Sequence, residues 1–313
     1  MGGISVPNRW STLAMDEAGV RDLSGLPSEA VLTHADQVIA GRPAPPDLYR
    51  QWERQQWSAV DVVLDQDRAG RDRLPARIRE TVDDAVITFI VGEYTGLDML
   101  GPILAGSPDE TYSLFLGTQI ADETRHAHLM FRLGEELLGL DPDPGRMLAH
   151  AWERSAPAHR ELALLEGRLV RDLLTRPLDY GSWLRSCVLF HLLTEGVLAL
   201  VGQRVLVQSL RGLDVLPGVR AAFTAMCRDE SRHIGFGVHA LRTGIQEGYG
   251  DDIRDVLEQA VPLTLQLDEQ LAGPGPDFRR MSVDVLHKHL RSIGMDEGFS
   301  GHLLAPYRAG AVA

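Results

Sequence analysis

Residues 122–126 read Asp-Glu-Thr-Arg-His and residues 229–233 read Asp-Glu-Ser-Arg-His. Each contains Glu-x-x-His. On an α-helix positions i and i+3 share a face, so Glu123 with His126, and Glu230 with His233, can each reach one metal ion. A lone Glu-x-x-His arises about once by chance in a chain this long and usually reads as a solvated Glu and a surface His. Here both copies fall inside the near-identical pentapeptides, on two separate predicted helices.

The segment before each motif is strongly apolar and carries an interior carboxylate: Ile87-Thr88-Phe89-Ile90-Val91-Gly92-Glu93, and Leu192-Leu193-Thr194-Glu195-Gly196-Val197-Leu198. Burying an unpaired carboxylate is costly, so such a Glu must be neutral, paired or bound to a cation. Glu93 precedes Glu123 by 30 residues and Glu195 precedes Glu230 by 35, one helix and a turn in each case, which sets them at matching depth in antiparallel helices. Glu93, Glu123, His126, Glu195, Glu230 and His233 are therefore the candidate metal ligands, the set of a dinuclear carboxylate site. Oxygen-rich ligation with one imidazole per ion favours iron or manganese over zinc or copper. Four carboxylates also neutralise two divalent ions.

Around this set, Asp122 and Asp229 are candidates to accept the second ring N–H of the opposite motif's His. Arg125 and Arg232 are expected to face outward in ion pairs. His191, four residues before Glu195 and on its face, is a candidate seventh ligand, proton donor or substrate contact, against the plainer reading of a hydrogen-bonded core histidine. Cys227 is expected to pack in the core, and Tyr94 to point away from Glu93. His128 and His239 are expected to be ordinary, and His287 and His289 carry no pattern.

The elements that must position these residues follow from apolar spacing. Helical periodicity runs near 48–57, 75–105, 109–139, 145–174, 180–211, 217–247 and 251–272, with a weaker stretch near 283–293. Proline, glycine and aspartate punctuate the breaks, as at 107–108, 141–144, 176–177, 216–217 and 273–274. No alternating strand pattern exceeds about four residues. The expected class is all-α: a bundle of long antiparallel helices with additional helices and the dinuclear site in its core. Residues 1–46 are expected to be loosely ordered, 47–300 to form the helical domain and 301–313 a short tail.

Composition limits the remaining possibilities. The net charge of −13 is the wrong sign for a nucleic-acid surface. Two cysteines, with no Cys-x-x-Cys, make neither a disulfide framework nor a thiolate metal site. Without a signal-like N-terminus or a long uncharged apolar run, the expected setting is the cytoplasm, away from membranes.

The duplicated motif, its two preceding Glu residues and the stretch Gln56-Trp57-Ser58-Ala59-Val60-Asp61 with Asp67-Arg68 resemble the ribonucleotide reductase small-subunit family of the ferritin-like superfamily, over roughly residues 47–245. The resemblance implies an electron relay from Trp57 through Asp229 to His126. It is strongest to the ligand-binding oxidase branch, through Val91-Gly92-Glu93, the Glu195-Gly196 region and overall length. That branch implies an O2-activating diiron or manganese–iron cofactor, with a long-chain ligand near the metals. Three departures stand out. The radical Tyr position of the reductases holds Met130. The Val and Tyr that the ligand-binding oxidases cross-link are replaced by Gly96 and Phe190. The additional His of the arylamine N-oxygenases is replaced by Met226. The resulting expectation is a dinuclear oxidase or monooxygenase that takes O2 as co-substrate, oxidises a small organic molecule at C–H or N–H, draws on an external electron donor and forms a homodimer. A reductase small subunit, an amine N-oxygenase and a ferroxidase are the alternatives, and a non-enzymatic helical scaffold is the remaining class.

Overall fold

The computed structural model describes residues 28–272 and 276–308. The short helices α1 (Ser28–Gly41), α2 (Pro45–Arg54) and α3 (Asp65–Asp72) precede the long α4 (Ala76–Ala105) and α5 (Glu110–Arg132). A π-helical turn, Leu133–Leu137, extends α5. Then come α6 (Pro144–Arg154), α7 (Pro157–Thr175), α8 (Tyr180–Leu213), α9 (Pro217–Gln246), α10 (Gly250–Ala272), α11 (Pro276–Ile293) and α12 (Glu297–Arg308). No strand occurs among the described residues.

Local chemistry sets the boundaries. Asp109 caps α5, accepting the backbone N–H groups of Thr111 at 2.7 Å and Tyr112 at 2.9 Å. Asp143 and Asp179 cap α6 and α8 in the same way. Pro157 opens α7 and splits the stretch expected to be continuous over 145–174 into two helices meeting at Ser155. The N-terminus of α9 is capped from a distance: buried Asp67 accepts the Val219 N–H at 2.6 Å.

Two expected boundaries need correction. Residues 28–46 are not loosely ordered, because α1 and the start of α2 occupy them; residues 1–27 lie outside the described part. Residues 301–308 are not a tail but the greater part of α12, and 309–313 lie outside the described part. In α1, Val31, Leu32, Ala35, Val38 and Ile39 recur at helical spacing and bury against α9.

Helices α4, α5, α8 and α9 form the centre. α4 packs along α5 and α8 along α9, with the ligand candidates between two large apolar clusters. Helices α4 and α8 are long and apolar enough to cross a membrane, yet 50% and 78% of their most apolar windows are buried within the protein, which makes these residues core. The middle of α8, Val188–Ala199, is π-helical. Its i to i+5 bonding shifts the faces on which His191, Thr194 and Glu195 emerge, an irregularity that long helices tend to keep at functional sites.

Close approach of α9 to this π segment depends on Gly237, where an added Cβ would lie 2.3 Å from His191 Cβ. Gly237→Ala is expected to cost about 1–3 kcal/mol by overpacking, measured as a lower denaturation midpoint.

Candidate metal centre

The four helices bring all six ligand candidates together, each nearly or fully buried. Ligand atoms of Glu93, Glu123, His126 and Glu230 lie within 4.8 Å of one another, as do those of Glu123, Glu195, Glu230 and His233. Glu123 and Glu230 belong to both groups, so two adjacent positions share two carboxylates. The imidazoles lie on either side, their ring centroids 6.1 Å apart.

The orientation of each ring is set from behind. His126 Nε2 lies 3.3 Å from Asp229 Oδ2, and His233 Nε2 lies 3.2 Å from Asp122 Oδ2. An ionised carboxylate only accepts, so Nε2 carries the proton and Nδ1 is directed at the cluster. His126 Nδ1 is 3.4 Å from Glu93 Oε2 and 3.6 Å from both Glu123 Oε2 and Glu230 Oε1. His233 Nδ1 is 3.1 Å from Glu123 Oε1, 3.2 Å from Glu195 Oε1 and 3.3 Å from Glu230 Oε2.

Apart from His233 Nδ1 with Glu230 Oε2, which is a hydrogen bond, these contacts are close but poorly aligned. Glu123 Oε1, Glu195 Oε2 and His126 Nδ1 are buried without a properly directed hydrogen-bond partner. Such atoms are rare in a folded interior and call for an explanation. Burial pushes the Glu93 carboxyl up to about 8 and holds Glu195 well above the usual carboxylate range. Burial also opposes ionisation of Glu123, but His126 and His233 outweigh it and bring the group down to about 2. Burial alone would keep both imidazoles neutral, yet the surrounding carboxylates raise them well above their ordinary value. Without cations the cluster must hold protons to offset its acids. Two divalent ions would displace those protons and engage the unaligned atoms, so this donor set fits such ions.

Behind the imidazoles lies a layer of buried ion pairs. Arg232 Nη2 donates to Asp122 Oδ2 at 2.7 Å and Asp229 Oδ1 at 2.8 Å, and its Nη1 donates to Gln55 Oε1 at 2.7 Å. Arg125 Nη1 donates to Asp122 at 2.9 Å, its Nη2 to Gln56 at 2.9 Å, and its guanidinium lies 5.3 Å from the centre of the Trp57 ring. The expectation that both arginines face outward is corrected: Arg232 is fully buried and Arg125 is mostly covered. Two buried aspartates on adjacent helices need cations between them, and these side chains supply them. Burial opposes ionisation of Asp229, but Arg232, His126, Arg228 and Arg125 hold it well below the usual range.

Trp57 Nε1 donates to Asp229 Oδ2 at 2.6 Å, so the path from Trp57 through Asp229 to His126 is continuous. Sequence reasoning missed its counterpart. Trp52 Nε1 donates to Asp122 Oδ1 at 3.0 Å, and Asp122 holds His233. The available signal was a second tryptophan, Trp52, five residues before Trp57.

His191 is buried beside the cluster but is not among the grouped ligand atoms. Its Nε2 meets Gln119 Oε1 at 3.0 Å, and Gln119 Nε2 donates to Glu195 Oε1 at 2.8 Å. It acts on the cluster through Gln119, which was legible as the residue four before Glu123 on the same face. Gln203 Nε2 reaches Glu230 Oε1 at 3.3 Å in a similar manner. Cys227 is buried in the core as expected. His289, without a sequence signal, is buried against the Gly196 carbonyl at 2.9 Å.

A cavity of about 880 Å³ opens beside Glu93, Glu123 and Glu195 between α4, α7 and α8. Its walls are largely apolar, with Phe89, Leu162, Leu198 and Leu206 among them. Gly96 and Phe190 face each other at its inner end: a Cβ at Gly96 would lie 3.1 Å from the Phe190 ring and 3.6 Å from Glu123 Oε2. The absent side chain at 96 leaves room beside the carboxylates.

No family model matches the chain. Solved structures do match the fold. A variant of an R2-like ligand-binding oxidase with an anaerobically reconstituted Mn/Fe cofactor has a TM-score of 0.72 at 18% identity, covering 81% of this chain and 94% of that one. A second such variant has a TM-score of 0.71 at 17% identity, covering 81% and 95%. A third, described with a non-activated Mn/Mn cofactor, has a TM-score of 0.71 at 18% identity, covering 80% and 93%. This chain has the helical-bundle fold of R2-like ligand-binding oxidases.

Proposed function

We propose that the protein is an O2-activating dinuclear metal oxidoreductase that oxidises a small organic substrate held in the cavity beside the metal centre. The observation that carries this reading is the junction of the two: ligand groups sharing Glu123 and Glu230, with Glu93, Glu123 and Glu195 also lining an apolar cavity of about 880 Å³. That volume suits a small organic molecule, as ligand pockets of roughly 300–1,000 Å³ do. It favours oxidation of an organic substrate over handling of iron alone.

Glu93 with His126, and Glu195 with His233, would hold one ion each, with Glu123 and Glu230 shared. Iron with iron, or manganese with iron, suits the donors, and the Mn/Fe cofactors of the structural relatives support the same choice. Bound there, the ions would supply the O2 and electron chemistry that side chains lack. The chain's own contribution is positional. Asp122 and Asp229 fix the imidazoles, the arginine layer keeps both aspartates ionised, and the apolar walls exclude water. Trp57, hydrogen-bonded to Asp229, gives an external donor a route inward to His126.

The test is iron and manganese content per chain after anaerobic loading, followed by O2 uptake with a panel of amines and fatty acids. About two ions per chain, as in carboxylate-bridged helical bundles, and substrate-dependent O2 uptake are expected. Failure to retain metal under these conditions would overturn the proposal.

A further inference from the structure

The cavity contains a second polar site that is not part of the ligand set. Glu166 projects from α7 into the apolar wall and is only 4% exposed. Thr194 Oγ1 donates to its Oε1 at 2.8 Å. Among the described residues Glu166 makes no ion pair with an Arg, Lys or His side chain. Burial pushes its carboxyl up to about 7. Two turns earlier on the same face, about 10 Å along the axis, His159 also lines the cavity. It is 8% exposed, and its Nδ1 is buried without a hydrogen-bond partner.

A carboxylate and an imidazole buried in a wall that is mostly apolar cost free energy unless something pairs with them. Thr194 satisfies one oxygen of Glu166 by donation, a contact that suits the ionised acid. A cationic donor would complete it, because charge-assisted hydrogen bonds are roughly twice as strong as neutral ones and a buried charge needs a counter-charge. A carboxylate-bearing ligand placed there would meet a like charge. The surrounding Leu162, Phe89 and Leu198 supply the apolar contact for the remainder of the molecule.

We propose that Glu166, with Thr194, forms a recognition subsite for the protonated amine of an amphipathic primary amine whose carbon skeleton fills the cavity past His159 and toward Glu93, Glu123 and Glu195. This rests on the reading of the cavity as the substrate site. It makes the selectivity of the centre a property of α7 and the π segment of α8, separate from the metal ligands.

The experiment is calorimetric binding of n-octylamine, 1-octanol and octanoate to the full chain, metal-loaded and metal-free. Octylamine is expected to bind most tightly and octanoate least. Glu166→Gln, which keeps the shape of the side chain, is expected to weaken octylamine about tenfold or more and to leave octanol within about threefold. Thr194→Val, which keeps Glu166 but removes its donor, is expected to weaken octylamine by a smaller factor and keeps the test available if the first variant folds poorly. Octylamine affinity unchanged in both variants, or tighter binding of octanoate than of octylamine by the unmodified chain, would overturn the subsite. Metal content measured in parallel separates the two readings. Loss of amine selectivity with about two ions retained removes the subsite alone. Amine selectivity in a chain that retains no metal removes the oxidoreductase reading and leaves an amine-binding pocket.

Discussion

Glu123→Ala should release both metal ions, whereas Glu93→Ala should release about one. The difference follows from sharing. Glu93 belongs to one group of ligand atoms and Glu123 to both. Removing Glu93 leaves Glu123, His126 and Glu230 on one side and the other group intact. Removing Glu123 takes a carboxylate from each side at once. It also removes the anion that does most to raise His126 and that, after Glu195 and Asp122, helps to raise His233. Changes behind metal ligands cost about 10–100-fold in affinity, so loss of a shared ligand should exceed about 100-fold. Elemental analysis after anaerobic loading and desalting is the measurement, with Glu161→Ala on the exposed side of α7 as control. Two ions retained by Glu123→Ala would remove the shared-ligand arrangement.

How much of this centre was legible depended on which residues carry a periodic or chemical signal. Glu-x-x-His on a helix is local, and its duplication marked Glu123, His126, Glu230 and His233 without any tertiary information. Glu93 and Glu195 stood out because a carboxylate in an apolar run has few explanations. Asp122 and Asp229 followed from the needs of a ligating histidine. The arginines did not, because a polar residue next to ligands on a helix is ordinarily solvated. Helix α9, however, is buried on almost every face, and Arg232 falls three residues after Asp229, on its side. Gln119 stood four residues before Glu123 on the ligand face of α5, but the π segment of α8 carries no distinct sequence period, so the turn of His191 toward it could not be derived. Glu166 was hidden among the acidic and basic residues of an amphipathic helix, and only the packing of α7 against α4 and α10 turns its face inward. Helix α3 was missed because its apolar spacing is short: it has eight residues, of which only Asp67 is buried.

Arg232→Met should destabilise the protein by about 3–5 kcal/mol, because it takes from two buried aspartates the fully buried cation that pairs with both. Arg232 is fully buried, and one of its nitrogens serves Asp122 and Asp229 together. Methionine fills similar volume, so loss of packing is small and the charge effect dominates. Arg125 and Arg228 remain near Asp229, but only Arg125 reaches Asp122 as well. Arg232→Lys should lose less, since the charge is retained while the fork that also binds Gln55 is lost. Adding Asp122→Asn to Arg232→Met should recover part of the deficit, giving a combined loss smaller than the sum of the single losses. Denaturant unfolding of the metal-free chains measures all four. A loss under about 1 kcal/mol for Arg232→Met, the scale of a surface pair, would mean that the aspartates are balanced without it. Arg125 and Arg228 would then be the cations that keep Asp122 and Asp229 ionised behind the two imidazoles, and Arg232 would be dispensable for the orientation of His126 and His233.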